Sequence, residues 1–418
     1  MDTTAHERVE AYCGTCSRSL PSNRYLIRCP HCRGLIYFRY DWDHVQLREK
    51  PHSIWRFSDL LPIHQLEHIV SLGEGSTPLV RSNLKEDGTL LLKNEAQNPT
   101  GSVKDRAMSV GISKARELGI SRVMNASTGS AGLSTAAYAA RAGMRSAIIV
   151  PRGAPFERVA AMVAFGALVL PFDGTIWEAL RFCEQAAGEL GAFQSATLRP
   201  VNPYQNEGSK TIAYELWEDQ PDQIDWVVAP RGSAGILAGI AHGFEDLQRL
   251  GLAHRMPKMA AVELAHLNSM EQSWRDGDTS EKNLRRLALT LDEGQPTIAV
   301  KLAHAYPDDG EEALSVIVQS DGAVVSVNDL EITEALQSVA RADGLFIEPS
   351  SAAALAGYSK LVSRHTIQPG ERVAVILTGS GFREMKVIAS ILEEPMSLYG
   401  ETSARDRLQR FFARAEGE

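Results

Sequence analysis

From about residue 88 the chain alternates short apolar runs with alanine-rich segments of helical period. The runs are Leu90-Leu91-Leu92, Arg122-Val123-Met124, Ala147-Ile148-Ile149-Val150, Ala167-Leu168-Val169-Leu170, Trp226-Val227-Val228-Ala229, Met259-Ala260-Ala261-Val262 and Val373-Ala374-Val375-Ile376-Leu377. Most give way to Gly, Ser or Pro before the next helical segment. Short buried strands alternating with helices predict open α/β sheets, two of them at this length.

Ligands of such sheets sit at the carboxyl ends of strands, where strand-to-helix loops offer backbone N–H groups. Three such junctions are rich in small residues: Asn125-Ala126-Ser127-Thr128-Gly129-Ser130-Ala131-Gly132, Pro230-Arg231-Gly232-Ser233-Ala234-Gly235, and Thr378-Gly379-Ser380-Gly381. Any one of them alone could serve close backbone packing. The spacing of Gly232 and Gly235 is not that of a dinucleotide fingerprint, and the Walker pattern is missing. A fourth segment, Asn98-Pro99-Thr100-Gly101-Ser102-Val103-Lys104-Asp105-Arg106, starts a helix with a lysine in its first turn. Helix N-termini favour anions, so Lys104 is either an ordinary exposed lysine or a residue with a task.

Charge narrows the partners. Of 418 residues, 52 are acidic and 43 basic, a net charge of −9. An electrostatic nucleic-acid binder is thereby disfavoured, and a small-molecule partner expected. The uncharged run 159–172 falls short of the ~20 apolar residues of a membrane span, and residues 1–10 lack a signal peptide's apolar core. A cytoplasmic protein that makes no use of the membrane is expected.

Four of the five cysteines lie between residues 13 and 32, unlike a disulfide framework spread through a fold. Cys13 and Cys16, then Cys29 and Cys32, form two C-x-x-C knuckles. Two such pairs can close a tetrahedral four-cysteine zinc site with no open position, a structural rather than catalytic metal. Unligated thiols are the alternative. His31 is expected at the surface. The run Leu35-Ile36-Tyr37-Phe38-Arg39-Tyr40-Asp41-Trp42 leaves open a nucleic-acid contact, which the acidic whole disfavours.

In their order along residues 70 to 390, the segments Gly73-Glu74-Gly75-Ser76-Thr77-Pro78-Leu79, 98–108, 125–132, 232–236 and Glu348-Pro349-Ser350-Ser351-Ala352-Ala353-Ala354 together resemble fold type II pyridoxal phosphate enzymes. Among these they are most similar to threonine synthases. The resemblance implies a tryptophan synthase β-like α/β fold: an N-terminal zinc ribbon (8–40), a large cofactor domain (41–115 and 206–395), a smaller mobile domain (116–205) and a helical tail (396–418). It implies a homodimer as well.

It also assigns roles. Lys104 would be the lysine bonded to pyridoxal 5'-phosphate; a helix N-terminus and neighbouring Arg106 are expected to favour its neutral, nucleophilic amine. Gly232, Ser233, Ala234, Gly235 and Ile236 would cradle the phosphate through backbone N–H groups. Thr378 would face the pyridine nitrogen, where a hydroxyl suits β/γ chemistry. Ser127, Thr128, Gly129, Ser130 and Ala131 would take the substrate carboxylate, and 201–211 would lead out of the mobile domain.

Several positions depart from the family. Ser130 and Ser233 stand where asparagine is usual, and Ser380 where histidine is common. Gln205 occupies the place of an arginine that holds the substrate phosphate, and an amide is a poor substitute for a bidentate cation. Arg152, Arg158 and Lys210 are possible replacement anchors. The expected activity is therefore threonine synthase, with O-phospho-L-homoserine and water giving threonine and phosphate. Two alternatives stay open: β-elimination or β-replacement on serine, threonine, phosphoserine or a specialised amino acid, and a non-catalytic binding protein. Of the quieter features, 272–293 is expected to be solvated surface and Cys183 a buried small hydrophobe, while Leu408, Phe411 and Phe412 suggest a short amphipathic helix.

Overall fold

In the computed structural model all seven apolar runs are strands. The structure describes residues 8–127, 129–152, 156–392, 405–406 and 408–409. Residues up to Glu384 form one compact unit and those from Met385 onward a second. The second contains the helix Met385–Ile391 and exposed Leu408; Phe411 and Phe412 lie outside the described residues.

The larger sheet of the first unit has six strands, in the order Ala323–Val327, Lys258–Leu264, Trp226–Pro230, Val373–Leu377, Leu90–Asn94 and Leu79–Arg81. All neighbours are parallel except the last pair. Buried on both faces, such strands read as continuous apolar runs rather than alternating ones. Val227, Ala229, Met259 and Ala261 belong to one core with Ile212 and Leu216, Ile240 and Phe244, and Leu314 and Ile317, from three helices. The alanine-rich helix Pro349–Ser363 packs against the sheet too: a Cβ added at Gly357 would stand 2.3 Å from Val262 Cγ2, so no larger residue fits there.

A second sheet has the parallel order Leu168–Phe172, Arg145–Pro151, Arg122–Ala126 and Phe193–Gln194. Its covering helix Ile176–Leu190 starts with a reciprocal cap, in which Thr175 Oγ1 accepts from Glu178 N and Thr175 N donates to Glu178 Oε2. Cys183 is fully buried in this layer.

At the N-terminus, Val9–Cys13 pairs antiparallel with both Ser19–Leu20 and Ile36–Tyr40. Among the described residues no helix is long and apolar enough to cross a membrane. The aromatic run 35–42 docks on the chain's own body. Tyr40 Oη donates to Glu207 Oε2 at 2.8 Å, and Phe38 stacks on Tyr204 with centroids 5.2 Å apart. Trp42 lies under the Arg249 guanidinium.

Candidate active site

Lys104 opens the helix Lys104–Glu117. The turn before it is tied to the helix by Asp105, whose carboxylate accepts from Thr100 N, Thr100 Oγ1 (both 2.6 Å) and Ser134 Oγ. Val103 N donates to Thr378 O at 2.9 Å, which seats this turn against the end of the strand Val373–Leu377. The Lys104 amine therefore projects into a cavity of about 270 Å³. Its walls include Ser127, Gly129, Ser130 and Ala131 from one loop, Gly232 and Ser233 from another, and Thr197, Lys301, His304 and Trp177.

Lys104 Nζ donates to Thr197 Oγ1 at 3.0 Å. Burial pushes its pKa down to about 8; Asp309 and Glu348 oppose that fall, and Lys301 adds to it. Arg106, expected from the sequence to be the cause, is not one. Its side chain is fully buried in a cage of its own, donating to Glu95 and Glu215 at 2.7–2.8 Å and to Thr211 and Thr77.

The loop 232–235 turns through Ala234 at φ 73° into the helix Gly235–Arg249. A Cβ on Gly235 would lie 2.5 Å from Asp309 Oδ2, so this turn admits only glycine at its helix start. Asp309 N donates to Ser233 O at 2.8 Å and braces the loop from behind; burial, reinforced by Glu312, raises its carboxyl to about 7. Ala234, Gly235 and Ile236 form the turn and first helical residues beyond the lining.

Ser130 begins the helix Ser130–Arg141, whose first N–H groups have no carbonyl of their own helix to meet. Its Oγ is buried and has no hydrogen-bond partner. Thr128 lies outside the described residues. Thr378 is buried at the end of its strand, where Oγ1 donates to Glu348 Oε1 at 3.0 Å and meets Ser351 Oγ at 3.1 Å.

Gln205 is not brought into the cavity. It is fully buried, with Nε2 donating to Ser195 Oγ at 2.9 Å. Of the other possible anchors, Arg152 is on the surface with Asp173, and Lys210 is buried between Glu207 (2.8 Å) and Asp246 (2.9 Å). Arg158 lies near the 127–131 loop, its Nη1 3.6 Å from where a Cβ on Gly129 would be, and is paired with Glu384. Ser380 Oγ accepts from Phe382 N.

Sequence reasoning missed Lys301, the second amine of the cavity wall. It pairs with Glu348 and, at 2.8 Å, with Glu384. Burial would raise the Glu348 pKa, but Lys301 outweighs it and holds the carboxyl below its usual range. His304 was missed as well: its Nδ1 is buried without a partner, its ring lies 5.5 Å from Trp177, and burial with Arg231 nearby lowers it to about 4, so the imidazole is neutral. No local motif marks either residue; an amine or imidazole in 297–306 gains meaning only when that segment folds over Lys104.

Far along the chain from this cavity, the sulfurs of Cys13, Cys16, Cys29 and Cys32 gather within 4.8 Å of one another. Cys13 and Cys32 are 3.4 Å apart, Cys16 and Cys29 3.8 Å. Four thiolates at about 2.3 Å from one ion would have sulfurs roughly 3.8 Å apart, so the cluster fits a tetrahedral metal. His31 is exposed.

The pyridoxal-phosphate dependent enzyme family model matches residues 70–379. The threonine synthase of Methanocaldococcus jannaschii is 33% identical over 95% of this chain and 98% of its own length, and that of Methanosarcina acetivorans 32% identical over 92% and 94%. Among solved structures, threonine deaminase isoform 2 of Solanum lycopersicum superposes with a TM-score of 0.63 over 84% of this chain and 98% of its own at 20% identity. Maize serine racemase gives 0.62 over 75% and 91% at 22%. The chain belongs to the pyridoxal-phosphate dependent enzyme family, on its threonine synthase branch.

Proposed function

We propose that this enzyme is a threonine synthase that converts O-phospho-L-homoserine and water into L-threonine and phosphate. The carrying observation is the Lys104 amine, depressed to about 8 and opening into a cavity between two small-residue loops at helix starts. The cavity suits pyridoxal phosphate: Ser130 Oγ is an unpaired buried hydroxyl on its wall, and the 232–235 turn leaves no space for a side chain at Gly235. Lys104 would hold the cofactor aldehyde, the N–H groups of 232–236 its phosphate, Ser130 a ring substituent and Thr378 the ring nitrogen. When bound, pyridoxal phosphate supplies an electron sink that acidifies the substrate C–H bond at the carbon bearing the amino group.

The chain's own residues do the rest. Burial lowers the Lys104 amine towards neutrality, which suits it as a general base that takes the Cα proton and returns it later. Ser127, Gly129, Ser130 and Ala131 offer donors to the substrate carboxylate at the helix N-terminus. Lys301 presents a cation to the departing phosphate. In this reading 116–205 is the mobile domain that shuts water out, the Cys cluster holds a structural zinc, and two chains associate.

One observation favours a second reading. Gln205 is outside the cavity and Lys301 already has two carboxylate partners, so the phosphate anchor is weak. A β-elimination or β-replacement on a smaller or uncharged substrate would use the same base and loops. Incubation with O-phospho-L-homoserine separates the two. Equal yields of threonine and phosphate support the synthase; bound cofactor without either product moves the assignment to β-substituted amino acids.

A further inference from the structure

The segment 195–202 belongs to no strand or helix, yet it carries Thr197, the hydrogen-bond partner of the Lys104 amine, and Leu198 on the cavity wall. Its next residue, Arg199, is 1% exposed and points the other way. Arg199 Nε donates to Glu312 Oε2 at 3.2 Å, Nη1 to Glu207 Oε1 at 3.4 Å, and Nη2 meets His242 Nδ1 at 3.4 Å. Over the remaining face of the guanidinium lies the ring of Tyr37, 4.6 Å from Cζ, contributed by the ribbon strand Ile36–Tyr40.

The ribbon grips the same segment at both ends. Arg28 Nε donates to Pro200 O at 3.1 Å, and Gln194 N donates to Tyr25 Oη at 3.1 Å. On the far side Arg199 N donates to Asp309 Oδ1 at 3.1 Å, and Asp309 N holds Ser233 of the 232–235 loop. A continuous path of short contacts thus runs from ribbon aromatic to buried arginine, and from there both to the lysine's partner and to the loop's brace.

We infer that Arg199 is a positioning residue through which the docked ribbon sets the cofactor site, Tyr37 clamping the guanidinium so that Thr197 stays on Lys104 and Asp309 stays on Ser233. The ribbon lines no part of the cavity and acts on it through this side chain and the segment that carries it. The inference rests on Lys104 and the 232–236 loop being the cofactor site, as proposed above.

The test uses the full chain, stripped of cofactor, with Tyr37→Leu and Tyr37→Phe. Two quantities are read: the dissociation constant for pyridoxal phosphate from fluorescence titration, and the rate at which Lys104 is acylated by an amine reagent, followed by peptide mass spectrometry. If losing this partly desolvated cation–π contact is felt wholly as disorder of the site, the dissociation constant for Tyr37→Leu rises by up to about fivefold. Lys104 labelling should quicken, and Tyr37→Phe, which keeps the ring and loses only the hydroxyl's contact with Glu312, should shift both readouts less than Tyr37→Leu. Circular dichroism checks that the variant is folded. If Tyr37→Leu does not fold, Arg28→Met, which removes the ribbon's bond to Pro200 beside Arg199, should move both readouts in the same direction. Folded variants with unchanged affinity and labelling overturn the inference and leave the function standing; a parent chain that binds no pyridoxal phosphate overturns both.

Discussion

Replacing Lys104 with methionine should abolish turnover and, at pH 7, make the apoprotein more stable. Among the described residues no carboxylate pairs with the amine; its hydrogen bond goes to neutral Thr197. Burial lowers its pKa from the ordinary 10.5 to about 8. At 1.36 kcal/mol for each tenfold in the proton equilibrium, the charged amine costs the folded chain at most about 3 kcal/mol. Water in the cavity screens part of this, leaving about 1–2 kcal/mol. Because the folded pKa lies below the unfolded one, the penalty is full below pH 8, shrinks as pH rises towards 10.5 and is absent above it. Methionine, similar in length and flexible, removes the penalty without emptying the site. Urea unfolding of parent and variant apoproteins should therefore show a gain for Lys104→Met at pH 7 that falls to less than half by about pH 9.5. A variant no more stable than the parent at pH 7, or a gain that ignores pH, would refute the electrostatic account of this lysine.

Three further expectations follow from the same geometry. Ser130→Ala should weaken pyridoxal phosphate binding about fivefold, the worth of one hydrogen bond of about 1 kcal/mol, in a fluorescence titration of the apoprotein. Burial would raise Glu207, but Lys210 and Arg199 outweigh it and hold the carboxyl at about 2. Its stabilisation is present above pH 4.5 and lost as pH falls through 2, so Glu207→Gln should cost about 3 kcal/mol at pH 7 and less than about 1 kcal/mol near pH 2 in denaturant melts. Mercurial titration of the purified chain with a colorimetric chelator should release one zinc per chain, and Cys29→Ser should lose it.

The strands were legible because parallel, doubly covered strands leave unbroken apolar runs. Leu79–Arg81 and Phe193–Gln194 were not, since three and two residues are too few to show any period, and Ala323–Val327 was missed too, its apolar run broken by Ser326. The cysteine spacing announced its cluster for the opposite reason: each knuckle is local, and only the pairing of the two needs the fold. Arg106 misled because its partners Glu95 and Glu215 lie 11 and 109 residues away; sequence proximity to Lys104 suggested an influence that the helix directs elsewhere. The aromatic run 35–42 was equally ambiguous, and what decides it is the docking of Tyr37, Phe38 and Tyr40 onto Arg199, Tyr204 and Glu207.

The departures from the family pattern are scattered: Ser130 and Ser233 line the cavity, whereas Gln205 is buried against Ser195 and Ser380 accepts from Phe382 N. Lys104 with Thr197, the 232–235 turn with Asp309, and Thr378 with Glu348 and Ser351 form a bonded frame that any substrate of this cofactor can share. Trp177, His304 and Lys301 line the same cavity outside this frame, and in the function proposed above they would select the substrate. A phosphate monoester carries a charge of about −1.5 to −2 at neutral pH, and it meets an ammonium already shared by Glu348 and Glu384. For phosphate to bind, one of those carboxylates must give up Lys301. Glu384 is the one able to do so, because Arg158 pairs with it too and can retain it, whereas Glu348 is tied to Thr378. In the function proposed above, leaving-group selectivity would be a competition for Lys301, settled by how readily Glu384 transfers its pairing to Arg158.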